Sequence, residues 1–533
     1  MNADPWRAGL AAGWQVIDAA QAGAPISDSA DVVVIGSGAG GGVAAEILTQ
    51  AGLKLIIVEE GPLFSSRDFH MREAEAYPRL YQESAARQTR DRAITILQGR
   101  CVGGGTTVNW TSSFRTPPTT LEHWRERLGL QELGVAELVP WFERMERRLD
   151  VAAWTTPPNA NNAALARGAA KLGIPTAAIP RNVKGCADLG YCGMGCPLDA
   201  KRSMLVSTLP AALAGGARLY TRLRAERLLA RGDRIEAVDC VSVDSAGRSG
   251  PVTARLQARH FLLAAGGIGS PALLARSGAP DPHRHLGRRT FLHPTVVCAA
   301  LMPEPVAAYA GAPQSVYCDH FLNTQAIDGP LGFKLEVPPL HPLLFAATLQ
   351  GHGRAHAAIM AEFARAQVTI ALLRDGFHPQ SQGGVVGQRG DGSPLLDYPL
   401  DPLFWEGARR ALLAMAEIQF AAGARRVWAL HQDCAGWGSW AEARAGIDAL
   451  ALEPLRTRVV SAHVMGGCAM AATPEQGVVN AHGAHFQLEN LSVGDGSLFP
   501  TSIGANPQLS IFALAARNAS RLAASLGAGP RLA

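Results

Sequence analysis

The glycine-rich run Gly36-Ser37-Gly38-Ala39-Gly40-Gly41 is the segment whose residue types and spacing point most directly to chemistry. In the G-x-G-x-x-G pattern, the first glycine (Gly36) permits a tight turn and the second (Gly38) lets backbone approach a diphosphate. The third glycine (Gly41) lets a helix pack closely on a strand. Glu59 follows Gly41 by eighteen residues, where an acid can accept hydrogen bonds from ribose hydroxyls. The pattern predicts a dinucleotide site, and the acid argues against NADP because it would repel the 2′-phosphate.

A second group of candidate residues consists of Cys186, Cys192 and Cys196, spaced C-x5-C-x3-C with glycines between the thiols and a proline after the third. Loops of this kind hold iron–sulfur clusters, in which cysteine thiolates ligate the iron. The segment therefore has two interpretations. It is either an iron–sulfur site on the three thiols or a structural loop of free or paired cysteines.

Strand and helix patterns around the glycine run predict the element that positions it. The apolar run at 31–36 is typical of a buried parallel strand, and the helix after the glycines has apolar residues at helical spacing and is closed by Gly52. A second strand is predicted at 55–58, ending at Glu59. Together these form a strand–helix–strand unit of about thirty residues, the size that such a unit needs.

A second strand–glycine–helix unit is predicted at 260–277. Its strand covers 261–265 and is followed by a tight glycine turn. Ser270 is predicted to be the N-cap of the helix, with Pro271 at the first helical position.

A third unit is predicted near the end of the sequence, with a strand at 491–493, then Asp495, then a helix from Pro507 to about Leu522. Three such units far apart in sequence predict one discontinuous nucleotide-binding domain. The predicted limits are 30–115, 200–300 and 455–533 for that domain, 116–200 and 300–454 for a substrate domain, and 1–29 for an N-terminal extension.

Composition excludes several classes of protein. The 533 residues are 47% hydrophobic and 18% charged, which fits a folded chain, and a net charge of +4 without blocks of like charge argues against nucleic-acid binding. We expect no membrane span and no signal peptide, since long apolar runs are missing. Nine cysteines without an export signal predict reduced thiols and a cytoplasmic protein. An N-terminal helix with Trp6 and Trp14 fits either packing on its own protein or association with a membrane surface.

Four segments spread over almost the whole chain carry a resemblance to a known family. They are 36–41 together with 58–62, 99–109, 266–278, and 463–510, which includes Gly494-Asp495-Gly496-Ser497 and Asn506-Pro507-Gln508. In these segments the sequence resembles the glucose–methanol–choline (GMC) family of FAD-dependent oxidoreductases. Within that family it is most similar to the branch of long-chain and cyclic alcohol oxidases and dehydrogenases.

The resemblance implies FAD as the cofactor and suggests which residues bind it. Asp495 would bind the ribityl or diphosphate part of the flavin, although an acid at a strand end could also simply cap a loop. Val108 stands where some members carry a histidine that links the flavin covalently, so noncovalent FAD is expected. The implied cofactor-binding residues are Gly36, Gly38, Gly41, Glu59, Gly103, Gly104, Asn109, Asp495, Gly496, Asn506 and Pro507.

The resemblance also implies a catalytic pair, with His463 as the base and Asn506 as its partner. An imidazole suits removal of a hydroxyl proton, and an amide can donate to and accept from the same oxygen. Each residue has a second interpretation. His463 could be a core histidine, and Asn506 could be the N-cap of the last helix. The N-terminus of that helix would favour negative charge on a reduced flavin.

The sequence therefore predicts an α/β fold, with a discontinuous Rossmann-like FAD-binding domain and an α+β substrate domain on an antiparallel sheet. The predicted reaction is oxidation of a primary or secondary alcohol to an aldehyde or ketone, with oxygen, a quinone, a dye or a cytochrome as electron acceptor. Alternatives are a desaturating, lyase or photochemical enzyme on the same scaffold and an electron-transfer flavoprotein subunit. Apolar residues at 340–345 and Phe363 weakly favour a hydrophobic alcohol, but an apolar interior would give the same pattern.

Overall fold

In the computed structural model, which describes residues 4–349 and 351–528, two sheets of eight strands each organise the chain. The strands, in chain order, are β1 (Gln15–Asp18), β2 (Ile26–Ile35), β3 (Leu55–Val58), β4 (Ile94–Ile96), β5 (Val151–Ala153), β6 (Ala177–Ala178), β7 (Pro180–Asn182), β8 (Arg218–Thr221), β9 (Leu223–Arg231), β10 (Arg234–Val243), β11 (Ser249–Leu263), β12 (Thr290–Leu292), β13 (Thr295–Leu301), β14 (Val316–Cys318), β15 (Phe333–Glu336), β16 (Ala366–Leu373), β17 (Val385–Gln388), β18 (Pro394–Asp397), β19 (Arg426–Ala429), β20 (Val459–Ser461), β21 (Val464–Gly466) and β22 (Leu491–Val493).

Helices cover these sheets and connect their strands. They are α1 (Pro5–Ala11), α2 (Ala39–Gln50), α3 (Glu73–Leu80), α4 (Gly105–Val108), α5 (Pro118–Arg127), α6 (Val135–Arg148), α7 (Ala160–Lys171), α8 (Thr208–Ala214), α9 (Gly266–Arg276), α10 (Pro342–Thr348), α11 (Gly353–Ala361), α12 (Pro402–Ala421), α13 (Trp440–Ala449) and α14 (Gln508–Ser525).

The first sheet has the order β1–β8–β3–β2–β11–β10–β9, with β22 paired to β11 as well. All of its pairings are parallel except those of β10 with β11 and β9. At the end of β11, Leu263 pairs with Ile35 on one side and with Val493 on the other. The three predicted strand–helix units therefore share one sheet, and their carboxyl ends meet at one edge, where ligands bind in open parallel sheets.

The second sheet has the order β4–β20–β13–β16–β15–β14–β6, with β19 paired to β13. Its pairings are antiparallel except that of β20 with β4. A parallel sheet flanked by helices and a second, mostly antiparallel sheet confirm the predicted α/β fold class.

The sheet to which a strand belongs does not by itself define a domain, so the predicted domain limits stay a prediction. Strand β1 precedes residue 30 but belongs to the first sheet, and β4 and β20 belong to the second sheet. These strands are three or four residues long, and short strands give a weak periodic signal.

The predicted start of the helix in the second strand–glycine–helix unit is wrong. Helix α9 begins at Gly266, four residues before Ser270, so that Ser270 and Pro271 lie inside it. The Asp495 carboxylate accepts hydrogen bonds from the Gly266 amide (2.8 Å) and the Ser270 hydroxyl (2.5 Å). This contact comes from the turn directly after β22, more than two hundred residues away, and ties the first turn of the helix to that end of the strand.

The N-terminal helix packs on its own protein. Trp6 is buried, its indole N–H donates to the Leu205 carbonyl at 2.8 Å, and its ring meets Trp14 edge-on at 5.7 Å. Of the two interpretations of this segment, the structure therefore shows the first. Among the described helices, none combines the length and apolar character that crossing a membrane requires.

A buried histidine in the first sheet, His260, predicts acid sensitivity of the fold. His260 on β11 shares a hydrogen bond of 2.7 Å with Ser492, and burial lowers its pKa to about 4. Below pH 6.5 the unfolded chain takes up a proton that the folded chain does not, so the free energy of unfolding falls by up to about 1.4 kcal/mol per pH unit. We expect His260→Gln, which keeps a polar partner for Ser492, to lose less thermal stability between pH 7 and pH 5. Equal losses in variant and parent would contradict this.

Candidate active site

The glycine run closes a tight turn between β2 and α2. Gly36 has a φ of +106°, and a Cβ there would lie 2.2 Å from the Ala264 carbonyl oxygen. A Cβ on Gly41 would lie 1.9 Å from the Gly36 oxygen, and one on Gly40 would lie 1.6 Å from the Gly494 oxygen. Three glycines are thus required by backbone packing within the protein itself.

Gly38 differs from its neighbours because it has space around it. It is the N-cap of α2 with a φ of −70°, and the nearest atom to a Cβ there would be the Gly104 Cα at 3.8 Å. Among the described residues, no side chain caps the first turn of α2. Its N–H groups are therefore available to an anionic group, which helix N-termini attract.

Glu59 holds the glycine run in place. One carboxylate oxygen accepts from the amide (3.1 Å) and hydroxyl (2.6 Å) of Ser37, and the other accepts from the Gly61 amide (2.7 Å). Burial raises the pKa of Glu59 to about 7, against the lowering effect of these hydrogen bonds. Glu59 thus stabilises the turn directly through these hydrogen bonds. Its predicted hydrogen bonding to a ribose would be an additional role.

A second glycine loop lies against the first. The Gly103 amide donates to the Ser37 hydroxyl at 3.0 Å, and a Cβ on Gly104 would lie 2.9 Å from the Gly38 Cα. Gly103 and Gly104 both have positive φ, at +86° and +53°. This pair of loops brings the predicted residues Gly38, Gly103 and Gly104 to one place.

Asn109 connects this second loop to the last helix. Its amide nitrogen donates to Gln508 Oε1 at 2.7 Å, and Gln508 is the first residue of α14, directly after its N-cap Pro507. Gln508 in turn donates to the Ser112 carbonyl at 2.8 Å. Asn109 is therefore bound to the first residue of α14, which directly follows Asn506 and Pro507, across nearly four hundred residues of sequence.

Lys201, which the sequence analysis did not single out, fixes the same loop. Its buried ammonium donates to the carbonyl oxygens of Thr107 (2.6 Å), Asn109 (3.0 Å) and Cys192 (2.8 Å). Burial lowers the pKa of Lys201 to about 8. These three bonds join the loop that ends at Asn109 to the cysteine segment.

Asp495 is bound by protein groups on both oxygens. Besides Gly266 and Ser270, it accepts from the Ser497 amide at 2.7 Å and caps the short turn that begins at Gly496. Burial raises the pKa of Asp495. The capping interpretation is thus observed, and flavin binding by Asp495 and Gly496 stays a prediction.

His463 is half-buried and paired with a second histidine. Its Nδ1 lies 3.0 Å from Nδ1 of His293, with the two rings nearly perpendicular at 86°. The far nitrogen of His293, Nε2, accepts from the Gly504 amide at 3.2 Å. This chain of contacts ends at Gly504, two residues before Asn506 in the sequence, and so links His463 to the segment that carries the second predicted catalytic residue.

Asn506 belongs to a buried ionic group and does not cap the last helix. Its Nδ2 donates to Glu336 at 3.2 Å and its Oδ1 accepts from Lys334 at 3.1 Å, while the Lys334 and Glu336 charges lie 3.0 Å apart. Because an ammonium only donates and a carboxylate only accepts, this network fixes which way the Asn506 amide points. The N-cap of α14 is Pro507.

Lys334 controls the electrostatics of the site. Its ammonium lies 3.0 Å from the centre of the Phe114 ring, an arrangement that stabilises a buried cation. Burial and, to a smaller extent, the Lys334 charge together lower the pKa of His463 to about 3. Burial likewise lowers the pKa of His293, with contributions from His463, Lys334 and Arg374. Both imidazoles are therefore neutral at physiological pH.

The cysteine segment gives the iron–sulfur interpretation no support. Within residues 4–349 and 351–528, no group of three or more His, Cys, Asp or Glu side chains is arranged to hold a metal ion. Cys186 donates to Asp188 at 3.7 Å, and Cys192 accepts from Arg181 at 3.7 Å, so these two thiols have separate partners. All nine cysteines are free, which agrees with the structural-loop interpretation.

Besides Lys201, the sequence analysis did not identify three residues around the predicted catalytic pair: His293, Lys334 and Glu336. A weak signal existed for the last two, because Lys334 and Glu336 alternate with Phe333 and Leu335 and so share one face of a strand. Two opposite charges on one face of a short apolar strand indicate a buried ion pair. His293 lies between β12 and β13 and is followed by a proline, a context that does not by itself indicate function.

Taken together, the site offers an uncapped helix N-terminus beside two glycine loops, with a neutral imidazole and an oriented amide near the start of α14. The first part suits a diphosphate and the second suits an oxygen that exchanges a proton. The apolar residues of the middle region are mixed in burial, since Phe345 is buried and Leu343 is exposed. Phe345 packs on Phe363 with ring centres 5.2 Å apart in the second hydrophobic core, as the apolar-interior interpretation expects.

Two family models and several relatives of known name match this chain. Two family models described as GMC oxidoreductase match the chain, one over residues 77–295 and one over residues 379–515. An uncharacterised GMC-type oxidoreductase of Sinorhizobium fredii is 30% identical, over 92% of this chain and 93% of its own. A long-chain-alcohol oxidase of Arabidopsis thaliana is 29% identical, over 93% of this chain and 67% of its own.

Solved structures share the fold at lower identity. Pyridoxine 4-oxidase from Mesorbium loti superposes with a TM-score of 0.67 at 19% identity, covering 92% of this chain and 98% of its own. Formate oxidase from Aspergillus oryzae, solved as a variant studied for FAD modification, superposes with a TM-score of 0.66 at 15% identity. The match covers 94% of this chain and 100% of the oxidase chain. At these identities the likeness concerns the fold alone.

Proposed function

This chain belongs to the GMC oxidoreductase family, and from that premise we propose that it oxidises a primary or secondary alcohol to an aldehyde or ketone with noncovalent FAD. It is an FAD-dependent oxidoreductase acting on CH–OH groups. The observation that carries the proposal is the contact chain from His463 through His293 to Gly504, which joins His463 to the loop of Asn506.

The residues around the glycine run fit FAD. The space at Gly38 and the uncapped first turn of α2 suit its diphosphate, Glu59 lies where a ribose is expected, and Asn109 lies beside the start of α14. When bound, FAD supplies the acceptor for the hydride that leaves the alcohol carbon.

His463 and Asn506 are proposed to hold the alcohol oxygen. His463 Nε2 has no hydrogen-bond partner among residues 4–349 and 351–528, so it is free to contact a substrate. The Asn506 amide, fixed by Lys334 and Glu336, retains one N–H and one lone pair for the same oxygen. Fixing the oxygen orients the carbon that loses hydride, which is a major source of rate enhancement. The sequence-based hypothesis that His463 is the base requires, in addition, a lone pair at Nε2.

An apolar alcohol is the proposed substrate class, supported by the likeness to a long-chain-alcohol oxidase. The test is anaerobic mixing of the yellow holoenzyme with a panel of primary and secondary alcohols of increasing chain length. We expect bleaching of the flavin bands that strengthens with chain length. Tertiary alcohols of matched size are the control, because they carry no hydrogen on the carbinol carbon. A flavin that no alcohol bleaches would overturn the proposal.

Noncovalent attachment of FAD is the expected state, because Val108 offers no nucleophile to the flavin. Acid precipitation should release all the yellow colour into the supernatant and leave a colourless pellet. The control is the same treatment after tryptic digestion, which should yield no flavin-labelled peptide. Colour that stays with the pellet would contradict this expectation.

A further inference from the structure

We propose that His293 sets the tautomer of His463, so that in the resting enzyme Nε2 of His463 carries the proton and donates a hydrogen bond to the substrate oxygen. His293 is then a positioning residue, since it acts through His463. The inference rests on the proposed function only in so far as His463 contacts the alcohol.

The argument starts at the backbone of Gly504. An amide N–H can only donate, and it points to His293 Nε2 at 3.2 Å. That nitrogen must therefore carry a lone pair. In a neutral imidazole with a lone pair on one nitrogen, the proton lies on the other, so His293 is protonated on Nδ1.

The next contact passes this constraint to His463. The two Nδ1 atoms are 3.0 Å apart, a hydrogen-bond distance that has room for one proton. His293 supplies that proton, so Nδ1 of His463 must be the acceptor. A neutral His463 then carries its own proton on Nε2, the nitrogen without a partner among the described residues.

Other protonation states are disfavoured by the surroundings. A proton on His293 Nε2 would face the Gly504 N–H and leave both groups without an acceptor, which is costly for buried groups. A doubly protonated imidazole is opposed by burial and by the cations that act on the pair, Lys334 on β15 and Arg374 after β16. Glu336 is engaged with Lys334 and Asn506.

This tautomer changes the role assigned to His463. A nitrogen that already carries a proton has no lone pair with which to accept the hydroxyl proton. His463 would therefore stabilise negative charge on the substrate oxygen as a donor, in the manner of an oxyanion hole. The hydroxyl proton passes to solvent water.

The direct test measures the tautomers in the FAD-loaded enzyme labelled with ¹⁵N-histidine. Nitrogen chemical shifts distinguish a protonated ring nitrogen from one with a lone pair, and His463→Ala and His293→Asn identify the two spin systems by loss of signal. We expect protons on Nδ1 of His293 and on Nε2 of His463 between pH 7 and pH 8. A lone pair on Nε2 of His463 would overturn the proposal, and this readout does not depend on any substrate.

A functional test uses two substitutions that differ in what they offer His463. An ionised His293→Asp side chain only accepts, so it should move the His463 proton to Nδ1 and slow flavin reduction at least tenfold with unchanged FAD content. His293→Asn keeps an N–H donor and should lose less. If His293→Asp shows the reversed tautomer by NMR and still reacts at the parent rate, the proposal is wrong. Failure of every alcohol to reduce the parent flavin would instead contradict the proposed function.

Discussion

Replacing His463 with alanine is expected to slow flavin reduction by a good alcohol substrate by about 10²- to 10³-fold, the effect typical of removing one preorganised donor at a reacting oxygen. The imidazole is neutral, since burial and Lys334 hold its pKa at about 3, and its Nε2 is the only ring nitrogen left for a substrate once Nδ1 contacts His293. The measurement is the limiting rate of flavin bleaching at saturating alcohol in an anaerobic stopped-flow instrument.

The control for this variant is His283→Ala, which removes an imidazole at an exposed surface position. It should reduce its flavin at the parent rate. The FAD content of both variants should match that of the parent, because the glycine loops and Glu59 do not contact His463 through hydrogen bonds. A His463→Ala enzyme that reacts within about threefold of the parent would remove His463 from the reaction.

Gly38→Ala is expected to abolish or greatly weaken FAD binding without disturbing the fold. The backbone at Gly38 has a φ of −70°, which alanine adopts freely, and a Cβ would meet nothing closer than the Gly104 Cα at 3.8 Å. The added methyl group would instead occupy the space through which the backbone approaches a diphosphate. We expect the dissociation constant of FAD to rise at least tenfold, which corresponds to about 1.4 kcal/mol.

The comparison for this prediction uses two other glycines. Gly23→Ala, with no atom within 4 Å of the new Cβ, should leave both FAD binding and stability unchanged. Gly40→Ala, whose Cβ would lie 1.6 Å from the Gly494 oxygen, should impair folding itself. Far-ultraviolet circular dichroism separates the two kinds of loss. A Gly38→Ala protein that lacks FAD but has the circular dichroism spectrum of the parent supports the prediction. Full FAD occupancy in this variant would contradict it.

The sequence by itself determined the elements around the cofactor site. The strand at 55–58 appears in the structure as predicted, and so do the strand at 491–493 and a helix that begins next to Pro507. Each rests on local signals, such as an apolar run that ends at glycines, which reflect the conformational preferences of a few adjacent residues. The polar first half of β2, with Ser27 and Ser29, lacks such a signal and was missed.

The tertiary structure alone decided how polar groups are paired. Asn506 was a good helix N-cap by sequence, yet it binds Lys334 and Glu336, some 170 residues away, because those buried charges need partners more than the helix end does. Helix α9 begins at Gly266, where Asp495, in the turn after β22, accepts a hydrogen bond from its first amide. His293 gained its relation to His463 and Gly504 in the same way. Such contacts depend on which strands pair, and that is a property of the folded chain rather than of any segment.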